Sequence, residues 1–129
     1  MDTVTRGRCL CGAVTWEYDG EERFRLCCHC ESCRRATSSP FTSYLGIAYD
    51  RFRWTGEAPK VHESSPGVRR SFCGTCGSPM GYESPEFPNE IHLFIASAED
   101  PAGLPPQRHV NWSEHLPWIV LADGLPTRG

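Results

Sequence analysis

The eight cysteines of this chain are grouped rather than scattered. Ligands for one metal ion commonly stand a few residues apart, whereas disulfide partners show no such clustering. Zinc in particular takes three or four thiolate ligands. The grouping therefore predicts a domain that is stabilised by bound zinc ions. Seven of the cysteines form two pairs and one triplet: Cys9 and Cys11, Cys73 and Cys76, and Cys28, Cys30 and Cys33.

Composition and patterning favour a cytoplasmic, mainly β protein. The 129 residues suit one domain, predicted over residues 1–129, and 12 glycines and 11 prolines indicate short strands joined by turns. Residues 1–6 lack the apolar segment of a secretory signal, and no apolar run approaches the roughly 20 residues that a membrane span needs. We expect a cytoplasmic location, where thiols stay reduced and bind metals rather than forming disulfides.

The charge distribution disfavours a nucleic-acid partner. The formal net charge is -3, Lys60 is the one lysine, and no run of basic residues is longer than two. Proteins that bind nucleic acids usually present clustered lysines and arginines to the phosphates. We therefore expect no nucleic-acid partner and no membrane partner.

Alternation of apolar and polar residues predicts short strands with little helix. Residues 9–18 should form a strand with Val14, Trp16 and Tyr18 on one face and the first cysteine pair on the other. Residues 31–37 should form a short helix that ends before Pro40. Other extended segments are predicted at residues 24–28, 41–49, 59–64, 68–72, 79–83, 90–97 and 118–121. The segments 59–64 and 68–72 should form a hairpin around Ser65-Pro66-Gly67, and residues 118–121 have a helical turn as the alternative.

Four sulfurs are expected to form a closed structural zinc site. The segment Cys73-Gly74-Thr75-Cys76-Gly77 is typical of a zinc knuckle, in which glycines allow a tight turn and amide N–H groups approach the thiolates. Together with Cys9 and Cys11 it would complete a tetrahedral site and connect the N-terminal strand to the middle of the chain. A rival arrangement pairs this knuckle with Cys28 and Cys30 instead.

The triplet is expected to bind a second zinc ion through three ligands. Residues two apart in an extended run point to the same side, so Cys28 and Cys30 can reach one ion while Cys33 closes from the next turn. A zinc site with three protein ligands leaves one position for water or substrate. A thiol that enters this position would ionise at neutral pH, because the metal lowers its pKa.

A closed second site is the alternative. Cys27 and His29 are poor fourth ligands, because neighbours along a strand point to opposite faces. A remote histidine would make the centre merely structural, and four histidines are candidates: His62, His92, His109 and His115.

Two arginines and two tryptophans have competing interpretations. Arg34 and Arg35 follow the triplet and would either bind substrate carboxylates or pair with Glu31 or another surface carboxylate. Trp112 and Trp118 are expected in the core more than as a platform for a ligand.

The order and spacing of these motifs are similar to those of one known family. The chain has Cys-x-Cys-Gly near its start, then Cys-His-Cys-x-x-Cys-Arg-Arg, then Phe-Cys-Gly-Thr-Cys-Gly at residues 72–77 and Ile-His-Leu-Phe-Ile at residues 91–95. This pattern resembles the glutathione-dependent formaldehyde-activating family, also called the centromere-protein-V-like domain. The resemblance covers nearly the whole chain.

That resemblance implies a mainly β, Mss4-like fold of several small antiparallel sheets with little helix. The family activity joins glutathione to formaldehyde, which is a carbon–sulfur lyase reaction run backwards. The partners it implies are a small thiol such as glutathione and a small aldehyde. It also implies a structural zinc on Cys9, Cys11, Cys73 and Cys76, and a catalytic or labile zinc on Cys28, Cys30 and Cys33.

A non-catalytic protein of the Mss4-like type is the main alternative. In this interpretation both zinc ions are structural, and a face of the small sheets binds another protein. The zinc content after mild chelation separates the two hypotheses. Loss of one ion without unfolding favours the enzyme, and two tightly held ions favour the interaction module.

Overall fold

Strands make up most of the regular structure. A computed structural model describes residues 3–129, and within that range it contains ten strands and one α-helix. The prediction of a mainly β chain with little helix is confirmed. The strands are β1 (Thr5–Arg8), β2 (Thr15–Tyr18), β3 (Phe24–Cys28), β4 (Thr42–Ala48), β5 (Phe52–Trp54), β6 (Lys60–Ser65), β7 (Val68–Phe72), β8 (Pro79–Glu83), β9 (Glu90–Phe94) and β10 (His109–Val110), and the helix is α1 (Glu31–Thr37).

The described strands pair into two sheets. A three-stranded sheet has the order β1-β2-β5, and a seven-stranded sheet has the order β10-β3-β4-β9-β8-β7-β6. Strands β6 and β7 form the hairpin that the sequence predicts. Neighbouring strands run antiparallel except β10, which lies parallel to β3 and pairs with Cys27 and Cys28. This parallel pair brings the C-terminal part of the chain beside the cysteine triplet.

Strand β4 separates two apolar clusters. Leu45 and Ile47 are fully buried in a larger cluster that includes Trp16 of the smaller sheet, whereas Tyr44 belongs to a smaller cluster. Successive residues of a strand point to opposite faces, so the two clusters lie on opposite sides of the larger sheet. Each cluster contains buried members of one cysteine group, namely Cys9 and Cys73 in the larger and Cys28 and Cys33 in the smaller.

The first cysteine pair lies in a turn and not on the predicted strand. Strands β1 and β2 are joined by residues 9–14, so only the second half of the predicted strand is extended. Gly12 has a φ of 84°, a left-handed conformation that interrupts an extended run and that glycine adopts without steric cost. The predicted inward face is nevertheless correct, because Val14, Trp16 and Tyr18 are all buried.

Helix α1 has the predicted bounds and positions the third sulfur of the triplet. Cys30 is its N-cap, and the Sγ of Cys30 accepts a hydrogen bond from the N–H of Cys33 at 3.3 Å. The helix ends at Thr37, and Ser38 follows with a φ of 54°. Cys33 is the buried residue of this seven-residue helix. The helix is therefore anchored to the sheet through a candidate metal ligand.

The C-terminal part of the chain is less regular than the sequence predicts. Residues 116–119 make a hydrogen-bonded turn, and no strand is described at residues 118–121. Trp118 is 66% exposed, contrary to its expected place in the core, because this segment leaves the sheet after β10 and follows the surface. Trp112 is half-buried. No helix in the described part of the chain is long and apolar enough to cross a membrane.

Candidate metal centres

Two turns bring four sulfurs together at the edge of the larger apolar cluster. The Sγ atoms of Cys9, Cys11, Cys73 and Cys76 all lie within 4.8 Å of one another. The distance from Cys11 to Cys9 is 3.7 Å and that from Cys11 to Cys73 is 3.8 Å. A tetrahedral zinc ion with sulfur ligands at about 2.3 Å places neighbouring sulfurs about 3.8 Å apart. The donor set and its spacing therefore fit a zinc ion.

Backbone amides point at these sulfurs, as expected of a zinc knuckle. The N–H of Val14 donates to the Sγ of Cys9 at 3.3 Å. In the second turn, the N–H groups of Thr75 and Cys76 both donate to the Sγ of Cys73 at 3.4 Å. Hydrogen bonds of this kind favour the thiolate over the thiol. Both turns thus supply N–H donors of the kind that metal-bound thiolates accept.

Ser78 joins the two turns. Its Oγ lies 3.1 Å from the Sγ of Cys76 and accepts a hydrogen bond from the N–H of Leu10 at 3.0 Å. The hydrogen bond from the Ser78 hydroxyl lowers the pKa of Cys76 to about 5. Gly77, which lies between Cys76 and Ser78, has a φ of 79°, a left-handed conformation that glycine adopts without steric cost. A glycine is therefore needed to close this turn.

The triplet forms a second group on the other side of the larger sheet. The Sγ atoms of Cys28, Cys30 and Cys33 lie within 4.8 Å of one another. Cys28 ends β3, Cys30 caps α1, and Cys33 lies one turn into the helix. The sulfurs of the knuckle belong to the other group, so the rival pairing of the knuckle with the triplet is not the arrangement found.

Each sulfur of the triplet accepts a hydrogen bond. The hydroxyl of Tyr44 donates to Cys33 at 3.5 Å, and the side-chain amide of Asn111 donates to Cys28 at 3.2 Å. Burial raises the pKa of Tyr44, which keeps its hydroxyl protonated and able to donate. Hydrogen bonds from Cys28 and Cys30 lower the pKa of Cys33, and Tyr44 contributes in the same direction. The cluster therefore favours a thiolate at Cys33.

The predicted candidates for a fourth ligand lie elsewhere. Within residues 3–129, no histidine nitrogen or carboxylate oxygen joins the three sulfurs within 4.8 Å. His92 contacts Glu90 at 2.6 Å, and His109 contacts Asp123 at 2.8 Å. His115 stacks on Trp112, with their ring centroids 3.7 Å apart. Cys28, Cys30 and Cys33 are therefore the candidate metal ligands that the structure brings together at this centre.

A cleft of about 790 Å³ opens beside the triplet. Cys30 and Cys33 line one wall, and residues of β7 and β8, among them Arg70 and Tyr82, line the opposite wall. The triplet is therefore reachable from this cleft through two of its three cysteines.

The two arginines that follow the triplet are engaged within the protein. The Nε of Arg34 donates to the carbonyl oxygen of His29 at 3.3 Å. The Nε of Arg35 lies 2.8 Å from a carboxylate oxygen of Glu31, one helical turn earlier. For Arg35 the structure thus shows the predicted pairing with Glu31, although this residue also lies at the border of the cleft.

The sequence does not predict a hydrogen-bonded chain behind the triplet, whose two histidines are buried. The Nε2 of His29 contacts the Nδ1 of His109, and the Nε2 of His109 contacts a carboxylate oxygen of Asp123. Burial lowers the pKa of His29 to about 4, so the imidazole is neutral. Asn111 belongs to the same C-terminal part of the chain. These residues reach the triplet through the parallel pairing of β10 with β3. This pairing involves only two residues of each strand, so no pattern in the sequence predicts it.

Comparison with known proteins identifies the family. The family model of the glutathione-dependent formaldehyde-activating enzyme matches residues 4–114. The chain belongs to this family. The matched range includes both cysteine groups, together with Tyr44 and Asn111. The resemblance inferred from the cysteine motifs is confirmed.

Two individual proteins are similar to this family member. A Schizosaccharomyces pombe protein described as an uncharacterized lyase is 35% identical over 91 residues, which are 69% of this chain and 66% of the relative. The match thus spans just under two thirds of that relative's length. A crystal structure of a Rhodobacter sphaeroides protein has a TM-score of 0.61 at 20% identity, covering 95% of this chain and 98% of that one. This second likeness concerns the fold alone.

Proposed function

We propose that the protein is a zinc-dependent enzyme that forms or breaks a carbon–sulfur bond in a small thiol or its aldehyde adduct. The observation that carries this proposal is the triplet, whose three sulfurs converge within 4.8 Å beside a cleft. Three thiolates on zinc leave one position open, which is the arrangement of catalytic rather than structural sites. Membership of the family and the relative described as a lyase support the same class of reaction.

Zinc bound by the triplet would lower the pKa of a thiol that enters its open position, which makes the sulfur nucleophilic at neutral pH. The side chains around it would perform the remaining tasks. Tyr44 and Asn111 would hold the sulfurs of Cys33 and Cys28 in place by donating hydrogen bonds to them. The cleft would hold the aldehyde next to the thiol, and such proximity accelerates the addition.

The proposed reaction is the addition of a thiol across a carbonyl group. A sulfur–carbon bond forms, the π bond of the C=O group breaks, and the thiol proton is transferred to the new hydroxyl oxygen. No oxidant or reductant is needed. With glutathione and formaldehyde the product is S-(hydroxymethyl)glutathione, and the reverse reaction is that of a carbon–sulfur lyase. We propose glutathione and formaldehyde as substrates on the strength of the family.

We propose a structural role for the centre formed by the other four cysteines. Four thiolates complete the tetrahedral coordination of zinc and leave no position for a substrate. Two of these sulfurs, those of Cys9 and Cys73, are almost fully buried. Because the two turns stand far apart in the sequence, metal binding here would contribute directly to the free energy of folding.

The proposed function can be tested by measuring whether a thiol binds to the metal. Cobalt(II) replaces zinc in the protein, and its absorption spectrum is recorded while glutathione is added. We expect the thiol to change the spectrum of the wild-type protein and to leave that of Cys33→Ser unchanged. The zinc protein should then accelerate the formation of S-(hydroxymethyl)glutathione, followed by NMR. An unchanged spectrum at saturating glutathione would contradict the proposal and favour the interaction module.

A further inference from the structure

One arginine of the cleft has a charge that no carboxylate neutralises. Arg70 lies on β7 and lines the wall opposite the triplet. Among the described residues it takes part in no ion pair, whereas Arg35, also at the cleft, is paired with Glu31. The cleft contains one acidic residue, Glu86, and His62 stands on the same side as Arg70. The wall around Arg70 is therefore suited to an anion.

Arg70 is held in a fixed orientation by its neighbours across the sheet. It lies in register with Tyr82 of β8, and its guanidinium carbon is 4.9 Å from the centroid of the Tyr82 ring. Its Nε donates to the Oγ of Ser64 at 3.3 Å. These contacts use one face of the guanidinium and its Nε. The two terminal nitrogens are left to donate a pair of parallel hydrogen bonds, the geometry that suits a carboxylate.

Aromatic side chains connect Arg70 with the triplet. The rings of Tyr82 and Tyr44 lie 6.3 Å apart, and the hydroxyl of Tyr44 contacts Cys33 at 3.5 Å. Strands β7 and β4 are separated by β8 and β9, so their backbones stand about 14 Å apart. The long side chains shorten the gap between the guanidinium and the sulfurs. A ligand that spans it must carry its carboxylate several bonds away from its sulfur.

We propose that Arg70 is the specificity-determining residue that selects thiols carrying a carboxylate. This inference rests on the proposed function, because it assumes that the thiol reaches the triplet. The carboxylate of the ligand binds the two terminal nitrogens of Arg70, while Tyr82 and Phe94, which line the cleft, pack against the intervening atoms. Of the two arginines that the sequence offered as alternatives, Arg34 is not among the residues that line the cleft and donates to the carbonyl oxygen of His29, and Arg35 is paired with Glu31.

The test compares two ligands that differ in charge. Glutathione and its diethyl ester have the same thiol, but the ester lacks both carboxylates. Their dissociation constants are measured by calorimetry with zinc-loaded wild-type protein, Arg70→Gln and Arg69→Gln. Arg69 is a matched control, because it directly precedes Arg70 on β7, is exposed, and lies in register with Glu83. Zinc content and circular dichroism establish that each variant is folded.

We expect wild type and Arg69→Gln to bind glutathione about tenfold or more tightly than the diester, as a charge-assisted hydrogen bond allows. Arg70→Gln should lose this preference by binding glutathione more weakly, with diester binding unchanged within about twofold. Equal binding of both ligands by wild type, or a preference that survives in Arg70→Gln, would overturn the role of Arg70 alone. Binding of neither ligand by wild type would overturn the proposed function together with it.

Discussion

The Nε2 of His29 lies 2.8 Å from the Nδ1 of His109, inside the protein and directly behind the cysteine triplet. Asp123 accepts a hydrogen bond from the Nε2–H of His109, so the Nδ1 of His109 is the acceptor for His29. The remaining ring nitrogen of His29 has no partner among the described residues and is left as an acceptor, which is easier to bury unpaired than an N–H group. This chain fixes the segment between Cys28 and Cys30 against the C-terminal strand.

Replacing His109 with leucine should therefore destabilise the protein by about 2 kcal/mol, because a buried N–H of His29 loses its acceptor. The measurement is urea unfolding of the zinc-loaded protein. Asp123→Asn is the control: Asp123 is 42% exposed and asparagine keeps an oxygen acceptor, so the loss should be less than about 1 kcal/mol. Equal losses in the two variants would show that the contact between the histidines contributes nothing.

The sequence predicted those parts of the fold that depend on local spacing. Helix α1, the β6–β7 hairpin and the grouping of the cysteines into two pairs and a triplet all follow from residues that stand close together in the chain. The two pairs are far apart in the sequence, and their convergence on one centre was predicted from the four ligands that a closed zinc site needs. At Cys9 the sequence predicts a strand where the structure has a turn, because the alternation of residues 9–14 does not reveal the left-handed conformation of Gly12.

The parts that the sequence did not reveal depend on distant pairing. Asn111 and His109 reach the triplet because β10 lies parallel to β3, about 80 residues away, and a two-residue strand has no periodicity to recognise. Arg70 lies on the wall of the cleft opposite the triplet because β4, β9 and β8 stand between β3 and β7 in the larger sheet. This strand order sets the distance between that wall and the sulfurs. Sequence spacing identifies the candidate metal ligands, whereas the sheet order determines what surrounds them.

The two cysteine groups should differ in their effect on folding. Cys73→Ser removes a buried sulfur that connects two distant turns, so we expect loss of about one zinc ion per chain and of the folded near-ultraviolet spectrum. Cys33→Ser should also lose about one zinc ion but keep its fold, because the helix and β3 are still joined through the sheet. Zinc analysis and circular dichroism provide the readout. Unfolding of both variants would assign a structural role to both centres.

Gly7 permits the close contact between β1 and the indole of Trp16. A Cβ at this position would overlap the Trp16 ring and lie 2.7 Å from the backbone oxygen of Ser97, which cannot move aside. Gly7→Ala should therefore reduce the free energy of unfolding by about 2 kcal/mol, typical of overpacking. Gly103→Ala is the control, because its added Cβ meets only the Asp100 carboxylate at 3.1 Å. The prediction fails if urea unfolding gives the same midpoint for both variants.

His92 should make the stability of the protein decrease below neutral pH. Burial lowers the pKa of His92, and the contact with Glu90 only partly opposes this. An unfolded histidine has a pKa of about 6.5, so below this pH the unfolded chain binds more protons and the stabilisation is progressively lost. The free energy of unfolding of His92→Gln should therefore vary less between about pH 7.5 and pH 5.5 than that of wild type. His62→Gln is the control, because strand β6 is exposed, and its free energy of unfolding should depend on pH as that of wild type does. The same pH dependence in all three proteins would contradict the role of His92.

Asn111 should set the affinity of the triplet for zinc. Its side-chain amide donates to Cys28, and Asn111→Gly keeps the left-handed backbone, with a φ of 53°, but removes this hydrogen bond. Loss of such a partner typically weakens metal binding about 10- to 100-fold. We expect competition with a chromophoric chelator to show this decrease for the weaker of the two zinc ions only. Asn89→Gly is the matched control, since Asn89 has a φ of 62° and lies between β8 and β9. An equal effect of the two substitutions would show that the decrease does not come from the hydrogen bond to Cys28.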